Sequence, residues 1–228
     1  MNKIIILHGW TKNLDKWEGF LKNLDKKKIN YDLPKIPGLT ANLDEVWNLD
    51  NYIQWLGKIV DKQKDKIILI GHSNGGRIAL AYANLYPGKV EKLILIDSAG
   101  IYHNELLLKM KRLVLRGIAK LGKKLTSSGI LKNLLYKLAR ESDYKDLDEN
   151  VKKTMTNLIS ADLKPILPQI KIPTLIIWGA GDTVTPLSDG ELMNSLIKNS
   201  KLEIIIGAKH SPMFTNPDQV AEIIYGNI

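Results

Sequence analysis

Ser73 is the residue of this chain best placed to act as a nucleophile. It stands in Gly71-His72-Ser73-Asn74-Gly75, where the aliphatic run 67–70 ends and a helix-like pattern begins. Gly-x-Ser-x-Gly between a strand and a helix is a nucleophile elbow, a tight turn that holds the serine hydroxyl exposed at its tip. Gly71 and Gly75 are expected to let the backbone turn, and Gly76 to let the helix sit close to the strand. A serine hydroxyl needs a base to take its proton, and the base needs an acid to orient it. The chain has four histidines and no cysteine. Thiol catalysis, disulfides and Cys-ligated metals are therefore excluded, and no metal or other cofactor is expected.

Each histidine can be weighed in turn. His8 ends the first aliphatic run, in Leu7-His8-Gly9-Trp10, and is expected to brace its own loop through hydrogen bonds. His72 adjoins Ser73 and points away from the tip of the turn, and His103 opens a long insert. His210 follows the last aliphatic run, in Gly207-Ala208-Lys209-His210-Ser211-Pro212. That loop leaves the same sheet edge as the elbow, which makes His210 the expected base. The acid should lie between serine and histidine in chain order. Asp182, in Trp178-Gly179-Ala180-Gly181-Asp182-Thr183-Val184-Thr185-Pro186, meets that requirement. Its competing reading is a turn or N-cap aspartate, and the competing acid is Asp97 at the end of the fourth run. Attack on a carbonyl creates an oxyanion that preorganised N–H donors must meet. The expected oxyanion-hole donors are the backbone N–H groups of Asn74 and Trp10, with Gly9 letting that loop approach and the Trp10 side chain lining the substrate pocket.

These residues need a scaffold that brings strand ends together. Aliphatic runs recur at 3–7, 29–33, 66–70, 90–97, 173–178 and 202–206, with helical patterns at 14–24, 49–61, 74–86, 187–197 and 217–225. Continuous apolar strands alternating with amphipathic helices indicate a doubly wound, mostly parallel α/β sheet of about six strands. The stretch 101–165, between the fourth and fifth runs, is too long for a simple crossover and reads as a helical cap with helices near 104–125, 129–139 and 150–159. The core is then 1–100 and 166–228. Within the cap, Leu106, Met110, Leu113 and Val114 share an apolar face expected to line the substrate pocket, opposite Lys109, Arg112, Arg116 and Lys120.

The 228 residues suit one globular domain, and the first run starts too early to leave room for a signal peptide, so a cytoplasmic location is expected. The net charge of +9 is concentrated in 101–141, which holds ten Lys and Arg against Glu105 and Glu141. No nucleic-acid-binding module accompanies it. The basic cap face is read as a solvated surface, with contact to an anionic membrane or an acidic carrier as the alternatives.

With serine, acid, histidine and oxyanion loop in place, the chain resembles the α/β-hydrolase fold family over nearly its whole length. His8-Gly9-Trp10-Thr11-Lys12-Asn13 with Trp17 is similar to the oxyanion segment of the pimeloyl-carrier-protein methyl ester esterases. Val46-Trp47-Asn48-Leu49-Asp50-Asn51-Tyr52, Leu93-Ile94-Leu95-Ile96-Asp97-Ser98-Ala99-Gly100-Ile101 and Asp162-Leu163-Lys164-Pro165-Ile166-Leu167-Pro168 resemble bacterial carboxylesterases. The resemblance implies Ser73, Asp182 and His210 as the catalytic triad and Trp10 and Asn74 as oxyanion donors. Two departures stand out. The antiparallel hairpin that usually precedes the first parallel strand is missing, and the usual Asp-x-x-Gly-x-Gly loop reads Asp32-Leu33-Pro34-Lys35-Ile36-Pro37-Gly38. The expected activity is cofactor-free hydrolysis of carboxylic esters with small to medium acyl chains. A lactonase, a lipase-like enzyme, a C–C bond hydrolase and a non-catalytic binder on the same scaffold are the alternatives.

Overall fold

Consecutive strand residues point to opposite faces of a sheet, and here both faces are apolar. The structure, a computed structural model, describes residues 2–11, 13–102 and 148–228. Six strands form one sheet: β1 (Ile4–Leu7), β2 (Tyr31–Asp32), β3 (Ile67–His72), β4 (Val90–Ile96), β5 (Thr174–Gly179) and β6 (Ser200–Ile205). Their order is β2-β1-β3-β4-β5-β6, and every pair is parallel. Ile5, Leu7, Leu69, Leu95 and Ile176 pack to one side with helices α2 (Leu49–Val60) and α3 (Asn74–Leu85). Ile4, Ile6, Ile70, Ile94 and Ile177 pack to the other with α1 (Glu18–Lys26) and the C-terminal helix Pro217–Tyr225. The strand order reverses between β1 and β3, and such a switch point opens a crevice beyond the carboxyl ends of its strands. His8 to Trp10 leave β1 there, and Ser73 leaves β3.

Element boundaries follow local chemistry. Asn48 and Asn51 cap α2 reciprocally, each side chain accepting from the other's backbone N–H at 3.1 and 2.9 Å. Helix α3 stops at Leu85 because Pro87 pushes Tyr86 out of the helical region, to φ −125° and ψ 57°. The expected helix 14–24 divides into a 3₁₀ turn, Asp15–Trp17, and α1. Strand β2 is shorter than the expected 29–33, since the Ile29 N–H still bonds the Leu24 carbonyl in the turn after α1. Strand β3 runs two residues past the aliphatic run, because Gly71 and His72 keep their register with Leu95 and Ile96.

Beyond residue 147, helix α4 (Glu149–Ser160) forms close to the expected 150–159. It buries Val151, Met155 and Leu158 and is pinned to the core by the Trp47 N–H, which donates to Thr154 Oγ1 at 2.8 Å. The expected helices near 104–125 and 129–139 lie outside the described residues, as do Leu106, Met110, Leu113 and Val114. Helix α5 (Leu187–Leu196) covers β5, and a short helix α6 (Pro212–Thr215), absent from the sequence reading, precedes the C-terminal helix α7 (Pro217–Tyr225). Among the described residues no helix is long and apolar enough to cross a membrane.

Two helical glycines give opposite expectations. A Cβ on Gly190 of α5 would lie 2.6 Å from the ring of the fully buried Trp178. A Cβ on Gly57 of α2 would meet only Tyr82, at an ordinary 3.9 Å. Gly190→Ala should therefore destabilise by about 1–3 kcal/mol through overpacking. Gly57→Ala should stabilise by about 0.5–1 kcal/mol through helix propensity. Urea denaturation of the two variants checks both signs.

Candidate active site

Strand β3 passes into α3 through one residue. Ser73 lies between them with φ 52° and ψ −121°, a region that costs a non-glycine residue roughly 1–3 kcal/mol. The positive φ belongs to the serine itself, and Gly71 and Gly75 let the chain turn here, as expected, by leaving it room. The glycines are required for space. A Cβ on Gly71 would lie 2.5 Å from Gly76 Cα, one on Gly75 would run into the Leu7 carbonyl, and one on Gly76 into the Ser98 side chain. Hydrogen bonds hold the turn from both sides. The Ser73 N–H donates to Ile96 O at 3.1 Å, and the Ser73 carbonyl accepts from Ala99 N at 2.8 Å and Gly76 N at 3.0 Å.

The loops after β5 and β6 converge on this serine. His210 Nε2 lies 3.0 Å from Ser73 Oγ, and His210 Nδ1 lies 2.8 Å from Asp182 Oδ2. An ionised carboxylate only accepts, so Nδ1 carries the proton and Nε2 is left to accept from the serine hydroxyl. Asp182 also forms the turn suggested by its sequence context. Its Oδ1 accepts from Val184 N at 2.7 Å and Thr185 N at 3.1 Å, so one carboxylate oxygen holds the loop while the other holds the imidazole. The N-cap of α5 is Pro186, so Asp182 is a turn residue and not the helix cap.

Two supporting residues escaped the sequence reading. Thr185 Oγ1 lies 2.7 Å from Asp182 Oδ2 and 3.2 Å from His210 Nδ1, bracing both partners. Its place three residues after an aspartate, the spacing of a side-chain-closed turn, was the available signal. His72 does point away from the serine tip, into a cluster with Trp17 and Phe214, and its Nε2 donates to the His210 carbonyl at 3.2 Å. It thereby holds the loop that carries the other histidine. No local signal links residues 138 positions apart in sequence.

The segments bearing the expected oxyanion donors, Asn74 and the loop with Trp10, flank the elbow. Asn74 opens α3, so its backbone N–H is one of the four that a helix start leaves without an intrahelical acceptor. A Cβ on Gly9 would lie 2.9 Å from Ser73 Cβ, which shows how closely the loop bearing Trp10 passes the nucleophile. The Trp10 side chain packs against the core. His8 is fully buried between Gly9 O, 2.8 Å from Nδ1, and Thr40 Oγ1, 3.0 Å from Nε2. Burial lowers its pKa and keeps it neutral, as a brace needs. Thr40 also lines a cavity of about 490 Å³, together with the rest of residues 38–44, Asp148 and Val151.

Asp97 occupies the place between β4 and this cluster. It is fully buried, its Oδ1 accepts from Gly179 N at 2.8 Å, and its Oδ2 has no hydrogen-bond partner. Burial, with the Asp182 charge nearby, pushes its pKa up to about 8, so Asp97 is protonated at neutral pH. A ring nitrogen of His72, one of His210 and a carboxylate oxygen of Asp97 lie within 4.8 Å of one another, close enough to offer an ion three ligands. Both His210 nitrogens are already engaged, with Ser73 and Asp182, so a metal there would compete with those contacts.

A family model described as serine aminopeptidase, S33, matches residues 38–217 of the chain. The chain is similar to monoacylglycerol lipase ABHD6 of Homo sapiens, at 26% identity over 97% of this chain and 73% of that protein. It is also similar to the pimeloyl-[acyl-carrier protein] methyl ester esterase of Wigglesworthia glossinidia brevipalpis, at 27% identity over 97% and 91%. Among solved structures, a thermophilic esterase from Thermogutta terrifontis superposes with a TM-score of 0.71 at 21% identity, covering 99% of this chain and 89% of its own.

The raised pKa of Asp97 makes a prediction about stability. The folded state keeps the Asp97 proton up to about pH 8, whereas an unfolded aspartate loses its proton near 3.8. Unfolding therefore releases a proton between those values, and stability falls as pH rises from about 4 to 8. Asp97→Asn removes this term. Its stability relative to wild type should climb between pH 5 and pH 8, by at most about 1.4 kcal/mol per pH unit. Urea titrations of both proteins at pH 5, 6.5 and 8 measure it, and a constant difference would contradict a protonated Asp97.

Proposed function

The chain belongs to the serine aminopeptidase, S33, family of α/β hydrolases, and from that premise we propose that it is a serine carboxylesterase acting on esters of small to medium acyl chains. The observation that carries this reading is the unbroken chain of contacts from Ser73 Oγ through both His210 nitrogens to Asp182, at 3.0 and 2.8 Å. Two relatives, a monoacylglycerol lipase and a methyl ester esterase, are by name ester-cleaving enzymes, which supports an ester over a peptide.

In this mechanism Ser73 Oγ attacks the ester carbonyl as its proton passes to His210 Nε2. The carbonyl oxygen becomes an oxyanion met by the backbone N–H groups of Asn74 and Trp10, which strengthen as charge develops. The imidazolium, held against Asp182 Oδ2, then gives the proton to the departing alkoxide. A water molecule repeats the sequence on the acyl-enzyme, losing its proton to His210 and releasing the acid with Ser73 restored. Asp182 stays ionised throughout, fixing the imidazole tautomer, and Thr185 with the Val184 and Thr185 N–H groups fixes Asp182. In this reading Trp10, next in the loop that passes the serine at Gly9, gives the acyl chain an apolar wall.

The test is kinetic. Ser73→Ala should lower kcat on p-nitrophenyl butyrate by at least ~10³-fold with an unchanged circular dichroism spectrum. Asp182→Asn should cost on the order of 10³–10⁴ by favouring the wrong tautomer. Asp97→Asn should cost less than about tenfold, since a protonated carboxyl and an amide are near isosteres. Near-normal turnover by Ser73→Ala, or a larger loss for Asp97→Asn than for Asp182→Asn, would overturn these assignments.

A further inference from the structure

Two buried donors in the first turn of α3, the helix that follows Ser73, have no acceptor. Arg77, on α3, is 4% exposed, and its Nε makes no hydrogen bond. Asn74, 1% exposed, has an equally unpartnered Nδ2. Their only mutual contact, Arg77 Nη1 to Asn74 Oδ1, is 3.5 Å long, at the limit of a hydrogen bond. No carboxylate among the described residues forms an ion pair with Arg77. Asp162 attracts it only through space, and Asp162 Oδ1 is taken by the N–H groups of Tyr102 and Lys164. Burial pulls the guanidinium pKa down to about 10, which still leaves it charged at neutral pH. A buried charge with no direct ion pair and an open Nε is unfavourable, and a fold that keeps one has a use for it.

The direction of the side chain narrows that use. Helical side chains lean toward the N-terminus of their helix, and here that end is the elbow. Arg77 starts one turn along α3, about 6 Å from Ser73 at 1.5 Å per residue, and its head returns to Asn74, the residue next to the nucleophile. The open Nε, beside Nη, is one edge of the planar guanidinium fork, which matches the two oxygens of a carboxylate. One negative charge would balance the one positive charge. A dianionic phosphate would leave an excess charge in the same buried space.

We infer that Arg77 and the Asn74 amide receive a carboxylate carried by the substrate, so that the preferred ester is the half-ester of a short dicarboxylic acid. This rests on the esterase reading above and gives it a substrate class. The reaction is unchanged: the ester C–O bond breaks, water supplies the new oxygen and proton, and the distal carboxylate takes no part in bond making.

The test compares monomethyl glutarate with methyl glutaramate, its neutral amide of nearly equal shape. Wild type should favour the half-ester in kcat/KM by at least ~30-fold, as expected where a buried charged group otherwise stays unpaired. In Arg77→Gln that ratio should fall to within about threefold of unity, since the charged half of the fork is gone. Glutarate should inhibit wild-type hydrolysis of p-nitrophenyl butyrate competitively and more strongly than glutaramic acid amide, a measurement that stands even if the variant fails to fold. Equal rates on the two esters with equal inhibition would overturn the inference while leaving the esterase reading intact. If wild type cleaves no ester, the esterase reading falls by itself. The carboxylate site is then read from thermal stability, which glutarate should raise in wild type and not in Arg77→Gln, and no shift in wild type overturns it.

Discussion

The structure is organised around how closely β3 and α3 approach each other. Their backbones touch at Gly71 and Gly76, and β1 lies against Gly75, leaving no room for a Cβ at any of the three. A chain that turns from strand to helix in that space must place one residue in a left-handed conformation, and the residue that does so is Ser73. The strain is offset by the ladder beneath it, through the Ile96 carbonyl and the Ala99 and Gly76 N–H groups. Every further feature of the site follows from where this lifts the hydroxyl. The β1 loop passes beside it at Gly9, and the β5 and β6 loops reach it from the other side with Asp182 and His210.

The two aspartates near His210 show how environment divides identical side chains. Asp182 accepts from two backbone N–H groups and the imidazole, with the Thr185 hydroxyl also within reach. Asp97 has one N–H donor, a bare second oxygen and the Asp182 charge nearby, so it holds its proton. Two adjacent buried carboxyls cannot both ionise cheaply, and separating their protonation states is a recurring way to assign roles. A neutral Asp97 fills the space behind the histidine without pulling the imidazole from Asp182.

Much of this was legible in the residues. Strands buried on both faces read as unbroken aliphatic runs, so the order of elements and the parallel sheet followed from the pattern, and with them the three strand exits carrying Ser73, Asp182 and His210. The details that were not legible share a cause, contact between residues distant in sequence. His72 is tied to the His210 carbonyl, Asp97 to the Gly179 N–H, and Gly76 is demanded by Ser98. None of these pairs has a local signature. That the left-handed residue of the elbow is Ser73 and not a neighbouring glycine was not legible, because glycine serves both left-handed backbone and tight packing. Arg77 went unremarked for a related reason: an arginine on an amphipathic helix reads as solvated, and its burial emerges only when the neighbouring elements are in place.

The central claim is that Ser73 is a nucleophile activated by His210, and covalent trapping tests it without knowledge of the natural substrate. The protein is treated with a fluorophosphonate, digested, and its adduct located by mass spectrometry, in wild type and in His210→Ala. The account predicts one adduct, on Ser73, formed at least ~10²-fold more slowly once the base is removed. An adduct elsewhere, none at all on the folded protein, or equal labelling rates in wild type and His210→Ala would contradict it.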